Sequence, residues 1–188
     1  MSRVGLLLIA VRTGVSRIWP LIKSFFFVVL VAGFLVGYAP HLVAMIRPDW
    51  AVDLGMLKHA AWICWLIGAV TLIYCAWCFG VLAGISPAHN ERPKILIVHG
   101  PYRYIRNPMY SSQLLIVLGH LFWTGSLTVL IYLINYGIGA YLVATFYEEP
   151  LLDRLFGENY RQYRRRVPAW WPSWRHRYVG PDQSGFGI

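Results

Sequence analysis

The residues best suited to chemistry form one loop, from His99 to Tyr110. It combines cations, amides and aromatic rings, Arg106 and Asn107 among them, ahead of a helix predicted to begin just after Pro108. A helix start offers free backbone N–H groups and a positive dipole end, which suit a carboxylate or phosphate. Aromatic faces can also hold a cation. The loop is therefore a candidate binding site, and a basic, aromatic interfacial loop is the alternative interpretation.

Two adjacent acids, Glu148 and Glu149, follow the last long apolar segment, which we expect to end near Tyr147. Neighbouring carboxylates at a helix C-terminus are disfavoured by the helix dipole and by each other. A solvated helix end would explain them without a function. A shared binding site would explain why this cost is tolerated.

Long apolar segments must position these residues. They run over about 24–43, 59–82, 109–123 and 127–147. The third segment is short enough to be a buried or re-entrant segment, and we interpret it as a short span. The chain of 188 residues is 57% hydrophobic and 13% charged, with a mean hydropathy of +0.50, which is too apolar for a soluble domain. A tight turn at Thr124–Ser126 makes the last two segments an antiparallel hairpin, which returns Glu148 to the level of Pro108. We expect an all-α, polytopic membrane helix bundle with about four transmembrane helices and both candidate sites at one face.

The basic residues are distributed unevenly. The two terminal segments and the segment between the second and third spans carry 15 of the 17 Lys and Arg residues, and Arg47 and Lys58 are the other two. The positive-inside rule then places both termini and the active site in the cytoplasm, at the inner membrane if the source is prokaryotic. Basic flanks against anionic lipids explain the formal charge of +9 without nucleic acid. We expect no cleaved signal peptide, because Arg12 follows the short apolar run Val4–Val11 and no cleavage site is clear.

The segment after the fourth span predicts an amphipathic helix at the membrane surface. Apolar residues recur at helical spacing from Leu151 to Tyr163, with arginines between them. Gly157 predicts a kink or a break between two short helices. The tryptophans that follow, Trp170, Trp171 and Trp174, are typical interface anchors.

A C-x-x-C pair, Cys75 and Cys78, lies within the second apolar segment. In a soluble chain this spacing can indicate redox or metal chemistry. Because no second pair or nearby His completes a site, we interpret both as small apolar residues and predict no metal.

Three motifs together resemble the isoprenylcysteine carboxyl methyltransferase and phospholipid methyltransferase superfamily. They are the loop 100–110, the Glu148-Glu149 pair and the segment 156–168, in matching order and spacing. The superfamily consists of membrane enzymes that use S-adenosylmethionine without a Rossmann fold, and this sequence has no strand followed by Gly-x-Gly-x-x-Gly. The resemblance covers about residues 94–168. It implies one membrane methyltransferase-like domain over 1–188, with the first two spans within 24–83.

The resemblance also implies site residues. Arg106 and Glu148 are the implied catalytic residues, and the cofactor S-adenosylmethionine would yield S-adenosylhomocysteine. The implied cofactor contacts are Lys94, Ile95, Leu96, Ile97, His99, Gly100, Tyr102, Asn107, Pro108, Met109, Tyr110, Glu148 and Glu149. The partners would be membrane lipids and a lipophilic or small-molecule methyl acceptor. Lipid amines, thiols, carboxylates and small hydrophobic molecules all remain open as acceptors.

Two positions depart from the superfamily pattern. Asn107 stands where a His is usual, and Asn cannot titrate. Ala144 stands where the isoprenylcysteine enzymes have a substrate-binding Arg, one turn before the first Glu. A prenylcysteine carboxylate would then lack an ion-pair partner, at a cost of about 2–5 kcal/mol. We therefore expect methyl transfer to a different acceptor.

Two other classes remain as alternatives. Membrane sterol and steroid reductases that use NADPH have a similar Arg-His-Pro-x-Tyr stretch, commonly followed by Gly-Glu, where this chain has Ser111-Ser112. The adjacent acids also suit the methyltransferases better. A non-enzymatic membrane scaffold would bind no cofactor.

Overall fold

A computed structural model of the chain describes residues 27–78, 95–172 and 178. Over these residues the fold is helical, which confirms the all-α prediction. A π-helix, Phe27–Tyr38, leads into α1 (Ala39–Ile46), and the further α-helices are α2 (Ala60–Trp77), α3 (Pro108–Thr124), α4 (Leu127–Leu142), α5 (Glu149–Phe156) and α6 (Glu158–Arg166). Short 3-10 helices cover Pro48–Trp50, Gly55–His59 and Gly100–Arg103.

Within the described part of the chain, two continuous helices are long and apolar enough to cross a membrane. They are Gly55–Trp77, with 23 residues, and Leu127–Phe156, with 30 residues. The segment Ala32–Ile46 is apolar but shorter. The 17 residues of α3 would extend about 26 Å at 1.5 Å per residue, slightly less than a hydrocarbon core of about 30 Å. Length and composition thus support two of the four predicted spans, and the other two stay predictions.

The packing of α2 against α3 is close because glycines lie at the contact. A Cβ atom on Gly68 would come within 2.9 Å of the backbone oxygen of Ser112. A Cβ atom on Gly119 would come within 2.6 Å of the Trp65 ring. Small residues let helix backbones approach in a bilayer, where van der Waals packing drives helix association. This contact holds the start of α3 against the C-terminal half of α2.

The α3–α4 hairpin turns at Gly125, whose φ of +59° is a left-handed conformation that favours glycine. Its carbonyl accepts a hydrogen bond of 3.1 Å from the Val52 amide, so the 47–58 segment lies against this turn. Arg47 and Lys58 therefore lie at the end of the hairpin opposite Arg106. The membrane orientation of this charge separation stays a prediction.

The prediction that the fourth segment ends near Tyr147 is wrong. The helix continues to Phe156 through a π-helical segment, Val143–Glu148, in which the Glu149 amide bonds to the Ala144 carbonyl five residues earlier. Pro150 explains the wider turn, because a proline ring clashes with the carbonyl four residues before it in a regular α-helix. The two acids lie within a helix, so the predicted dipole penalty does not apply to them.

The expected break at Gly157 is confirmed, since this residue has a φ of +53° between α5 and α6. Helix α6 packs against the extended segment before the site loop through Tyr160, Tyr163 and Val98. Several predicted features lie outside the described residues. They are the beginning of the first span at residue 24, the end of the second span, Lys94, Trp174, the basic residues before residue 24, and Arg92, Arg175 and Arg177.

Candidate functional site

The site loop is fixed by the segment that follows α6. The backbone amide of Arg106 donates to the Pro168 carbonyl at 2.9 Å, and that of Asn107 donates to the Ala169 carbonyl at 3.3 Å. These two bonds join distant parts of the chain side by side. The backbone that leads into α3 therefore has a defined position.

Two buried tyrosines, Tyr102 and Tyr163, stabilise the same loop from the protein interior. The Tyr163 hydroxyl donates to the Tyr102 carbonyl at 2.7 Å. The Tyr102 ring packs with Cys75 and Ile97, and Met109 lies against this cluster. Burial raises the pKa of both tyrosines well above the ordinary value, so their hydroxyls stay protonated and neutral. The geometry gives Tyr102 a supporting position inside the loop.

A buried ion pair connects the loop to the adjacent acids. The Arg106 Nη1 atom lies 2.8 Å from Glu149 Oε1, and these side chains are 12% and 8% exposed. On the other side, the more exposed Arg164 places its Nε atom 3.4 Å from Glu149 Oε2. The proximity that the hairpin topology predicts is thus confirmed. Glu149 is held between two guanidinium groups.

The other acid, Glu148, points to a different set of partners. The Tyr110 hydroxyl donates to Glu148 Oε1 at 2.6 Å. The Tyr110 and Trp170 ring centroids are 6.5 Å apart, and those of Tyr141 and Trp170 are 6.2 Å apart. A carboxylate beside several aromatic faces is an environment that can hold a cation.

Several buried hydrogen-bond donors near the loop lack a partner among the described residues. They are the Nδ2 atom of Asn107 and the Nε atoms of Arg103 and Arg106. Arg106 Nη1 is in ionic contact with Glu149 but without the alignment of a hydrogen bond. Buried donors normally have a partner, so each such group needs an explanation. A bound anionic group, such as a carboxylate, would provide one.

The remaining predicted residues occupy varied positions. Ile95 and His99 are exposed, whereas Pro108 is buried at the first position of α3. Leu96 packs against the cluster around Tyr160. Gly100 has a φ of +59°, and a Cβ atom there would overlap the Tyr74 ring. Gly100 therefore has a structural reason to be glycine.

The structure also brings in residues that sequence reasoning missed. Gln113 is buried at 7% exposure in α3, and its Oε1 atom accepts a hydrogen bond of 2.9 Å from the Tyr136 hydroxyl of α4. A buried polar residue within an apolar segment was the available signal. Trp170 and Arg164 were predicted only as interfacial residues, because their contacts depend on the path of the chain after α6.

The family model for phospholipid methyltransferase matches residues 57–159, which is more than half of the chain. The chain belongs to the phospholipid methyltransferase family. The matched range contains the candidate loop, the hairpin and both acids. The resemblance to this superfamily is therefore confirmed, and the match does not favour the NADPH reductase interpretation.

One curated relative of this phospholipid methyltransferase family member is Protein-S-isoprenylcysteine O-methyltransferase from Schizosaccharomyces pombe. It is 31% identical over 96 residues, which cover 47% of this chain and 40% of the relative. The match thus spans less than half of the relative's length. No solved structure matches the chain.

Proposed function

We propose that this protein transfers a methyl group from S-adenosylmethionine to a lipophilic or small acceptor at the cytoplasmic membrane face. The observation that carries the proposal is the convergence of the loop before α3 and the two acids of the α4–α5 helix. Arg106 reaches Glu149, and Tyr110 reaches Glu148. Membership of the phospholipid methyltransferase family supports methyl transfer as the reaction.

The residues fit the cofactor at two of its charged groups. The unpartnered donors of Arg103, Arg106 and Asn107 suit the carboxylate of its amino-acid end. Tyr110, with Glu148 beside it, suits the positive sulfonium centre. Of the other predicted contacts, the exposed Ile95 and the partly buried Met109 offer an apolar surface for the adenine.

S-adenosylmethionine supplies an electrophilic methyl group with a neutral sulfide as leaving group, so little acid–base chemistry is required. The protein's contribution is therefore mainly alignment and exclusion of water. Glu148 and Tyr110 would hold the positive sulfonium group of the cofactor, and Arg106 would align the cofactor's carboxylate. We assign Glu149 a positioning role, since it holds Arg106 between the loop and α6.

The environment of Ala144 supports an acceptor other than a prenylcysteine. Ala144 is fully buried in the π-helical segment, one turn before Glu148. Of the nearby arginines, Arg106 and Arg164 both face Glu149. We assign Arg103 to the cofactor carboxylate, so among the described residues near Ala144 an acceptor carboxylate would have no dedicated cation. We therefore do not propose the isoprenylcysteine in the relative's name as the acceptor of this chain.

The cytoplasmic placement rests on charge. The basic residues of the described part divide between the Arg106 end and the opposite turn, with most of them at the Arg106 end. By the positive-inside rule this end faces the cytoplasm, where the cofactor is available.

Calorimetry on the detergent-purified full chain tests the proposal. We expect S-adenosylhomocysteine to bind and NADPH not to bind. Membranes incubated with radiolabelled S-adenosylmethionine should label an acceptor, which mass spectrometry identifies. Glu148→Gln should abolish this labelling, whereas the exposed Glu158→Gln should retain it. Binding of NADPH instead, or full labelling by Glu148→Gln, would contradict the assignment.

A further inference from the structure

A polar pair lies inside the apolar hairpin, and the proposed chemistry has not used it. Gln113 of α3 is 7% exposed and accepts a hydrogen bond of 2.9 Å from the Tyr136 hydroxyl of α4. Polar side chains within membrane helices are costly and by default indicate a functional site. They can also simply join two helices. The surroundings of the pair decide between these roles.

The pair is continuous with the proposed catalytic groups. Tyr110 lies three residues before Gln113, on the same face of α3. Tyr110 donates to Glu148, and Gln113 on the same face accepts from Tyr136. We call the set Glu148, Tyr110, Tyr136 and Gln113 the polar seam. It runs from the proposed methyl-transfer site into the hairpin.

The charge of the polar seam limits what it can bind. Its members are a carboxylate, two hydroxyls and an amide, with no cation among them. Ala144 beside it is fully buried, and both Arg106 and Arg164 are in contact with Glu149. A carboxylate acceptor would lie near Glu148 without compensation, which is unfavourable for two like charges. A neutral group that carries a proton would instead find hydrogen-bond acceptors.

We propose that the polar seam is the acceptor subsite, and that it takes the neutral, proton-bearing nucleophile of a lipophilic molecule. Gln113 and Tyr136 bind and orient the polar head, and the apolar tail lies between α3 and α4 and the lipid. This inference rests on the proposed methyl transfer. It adds the class of acceptor and two specificity-determining residues.

The proposed step forms one bond and breaks one. The lone pair of the acceptor nitrogen or oxygen forms the new bond to the methyl carbon, and the C–S bonding pair remains on sulfur. The nucleophile's proton passes to the Glu148 carboxylate and then to water. The products are the methylated acceptor, S-adenosylhomocysteine and one proton.

The test uses the full chain in liposomes with radiolabelled S-adenosylmethionine and three probes that share one alkyl chain: dodecylamine, dodecanol and dodecanoate. We expect label in dodecylamine or dodecanol and none in dodecanoate. The first two probes distinguish an amine from a hydroxyl nucleophile. Label in dodecanoate, or in none of the three while S-adenosylhomocysteine binds, would overturn the inference.

Variants separate recognition from helix pairing. Tyr136→Phe and Gln113→Leu should each raise the acceptor KM about tenfold, with unchanged S-adenosylhomocysteine affinity, because one hydrogen bond to the acceptor is lost. Asn135→Leu is the matched control. Asn135 also lies in α4, but its Nδ2 atom donates at 2.8 Å to the Ile131 carbonyl of the same helix. The acceptor KM of the Asn135→Leu variant should not change.

Failure of the methyltransferase proposal and failure of the acceptor subsite give different results. If the wild-type chain binds no S-adenosylhomocysteine, the methyltransferase proposal itself fails. If it binds and the acceptor KM stays the same in both variants while thermal stability falls, the pair only joins helices and the acceptor subsite is refuted.

Discussion

The strongest quantitative expectation concerns the buried carboxylate of Glu149. In Glu149→Gln the Arg106 guanidinium, whose side chain is 12% exposed, keeps its charge but loses its anionic partner. Breaking a buried ion pair from one side costs about 3–5 kcal/mol. We expect about 3 kcal/mol, the lower end, because the glutamine oxygen keeps a polar contact with the guanidinium. For a chain of this length that corresponds to a decrease in Tm of roughly 6–12 °C.

The assay is thermal unfolding of the purified chain in detergent, with Glu158→Gln as matched control. Glu158 forms an ion pair of 3.2 Å with Arg165, but these side chains are 56% and 70% exposed. Exposed pairs contribute about 0–1 kcal/mol, so the control should change little. The double variant of Glu149→Gln with Arg106→Gln should lose less stability than the sum of the single changes.

Equal Tm values for Glu149→Gln and Glu158→Gln would refute the reasoning. So would strict additivity in the double variant, because two residues that share a buried contact are coupled. Either result would mean that Arg106 and Glu149 are well hydrated in the native protein and do not depend on each other.

Three further outcomes are expected. Gly100→Ala should lower the stability of the folded protein, measured by thermal unfolding, because a Cβ atom would overlap the Tyr74 ring at a positive φ. Burial raises the pKa of Tyr163 above its ordinary 10.0, so the folded state holds this proton longer and the free energy of unfolding should fall as pH rises above about 10. Tyr163→Phe should show a smaller fall in pH-dependent denaturation, and a loss of about 1–3 kcal/mol at neutral pH because the Tyr102 carbonyl loses its donor. Trp170→Ala should weaken S-adenosylhomocysteine binding in calorimetry, since its ring stands beside Tyr110, while Trp171→Ala, 82% exposed, should not.

The sequence was informative wherever a local signal controls the structure. Apolar runs predicted the helices, and the Thr124–Ser126 turn predicted the hairpin that brings Glu149 to Arg106. Gly157 predicted the break before α6 because glycine tolerates a φ that other residues rarely adopt.

Features that depend on tertiary contacts were not predictable in this way. The helix boundary at Tyr147 was misplaced because Pro150 was accommodated by a π-helical turn instead of ending the helix. The partner of Gln113 depends on the rotation of α3 against α4, which periodicity alone does not determine. Trp170 lies beside Tyr110 only because the chain returns after α6.

The backbone bonds from Arg106 and Asn107 to Pro168 and Ala169 have a consequence for biosynthesis. Because the chain leaves the ribosome from its N-terminal end, the loop and the helical hairpin emerge before Pro168 and Ala169 do. The loop's backbone is therefore completed only after the hairpin has emerged. Membrane insertion and acquisition of a competent site are separate events in time, and a chain truncated just before Pro168 would be an inserted but immature protein.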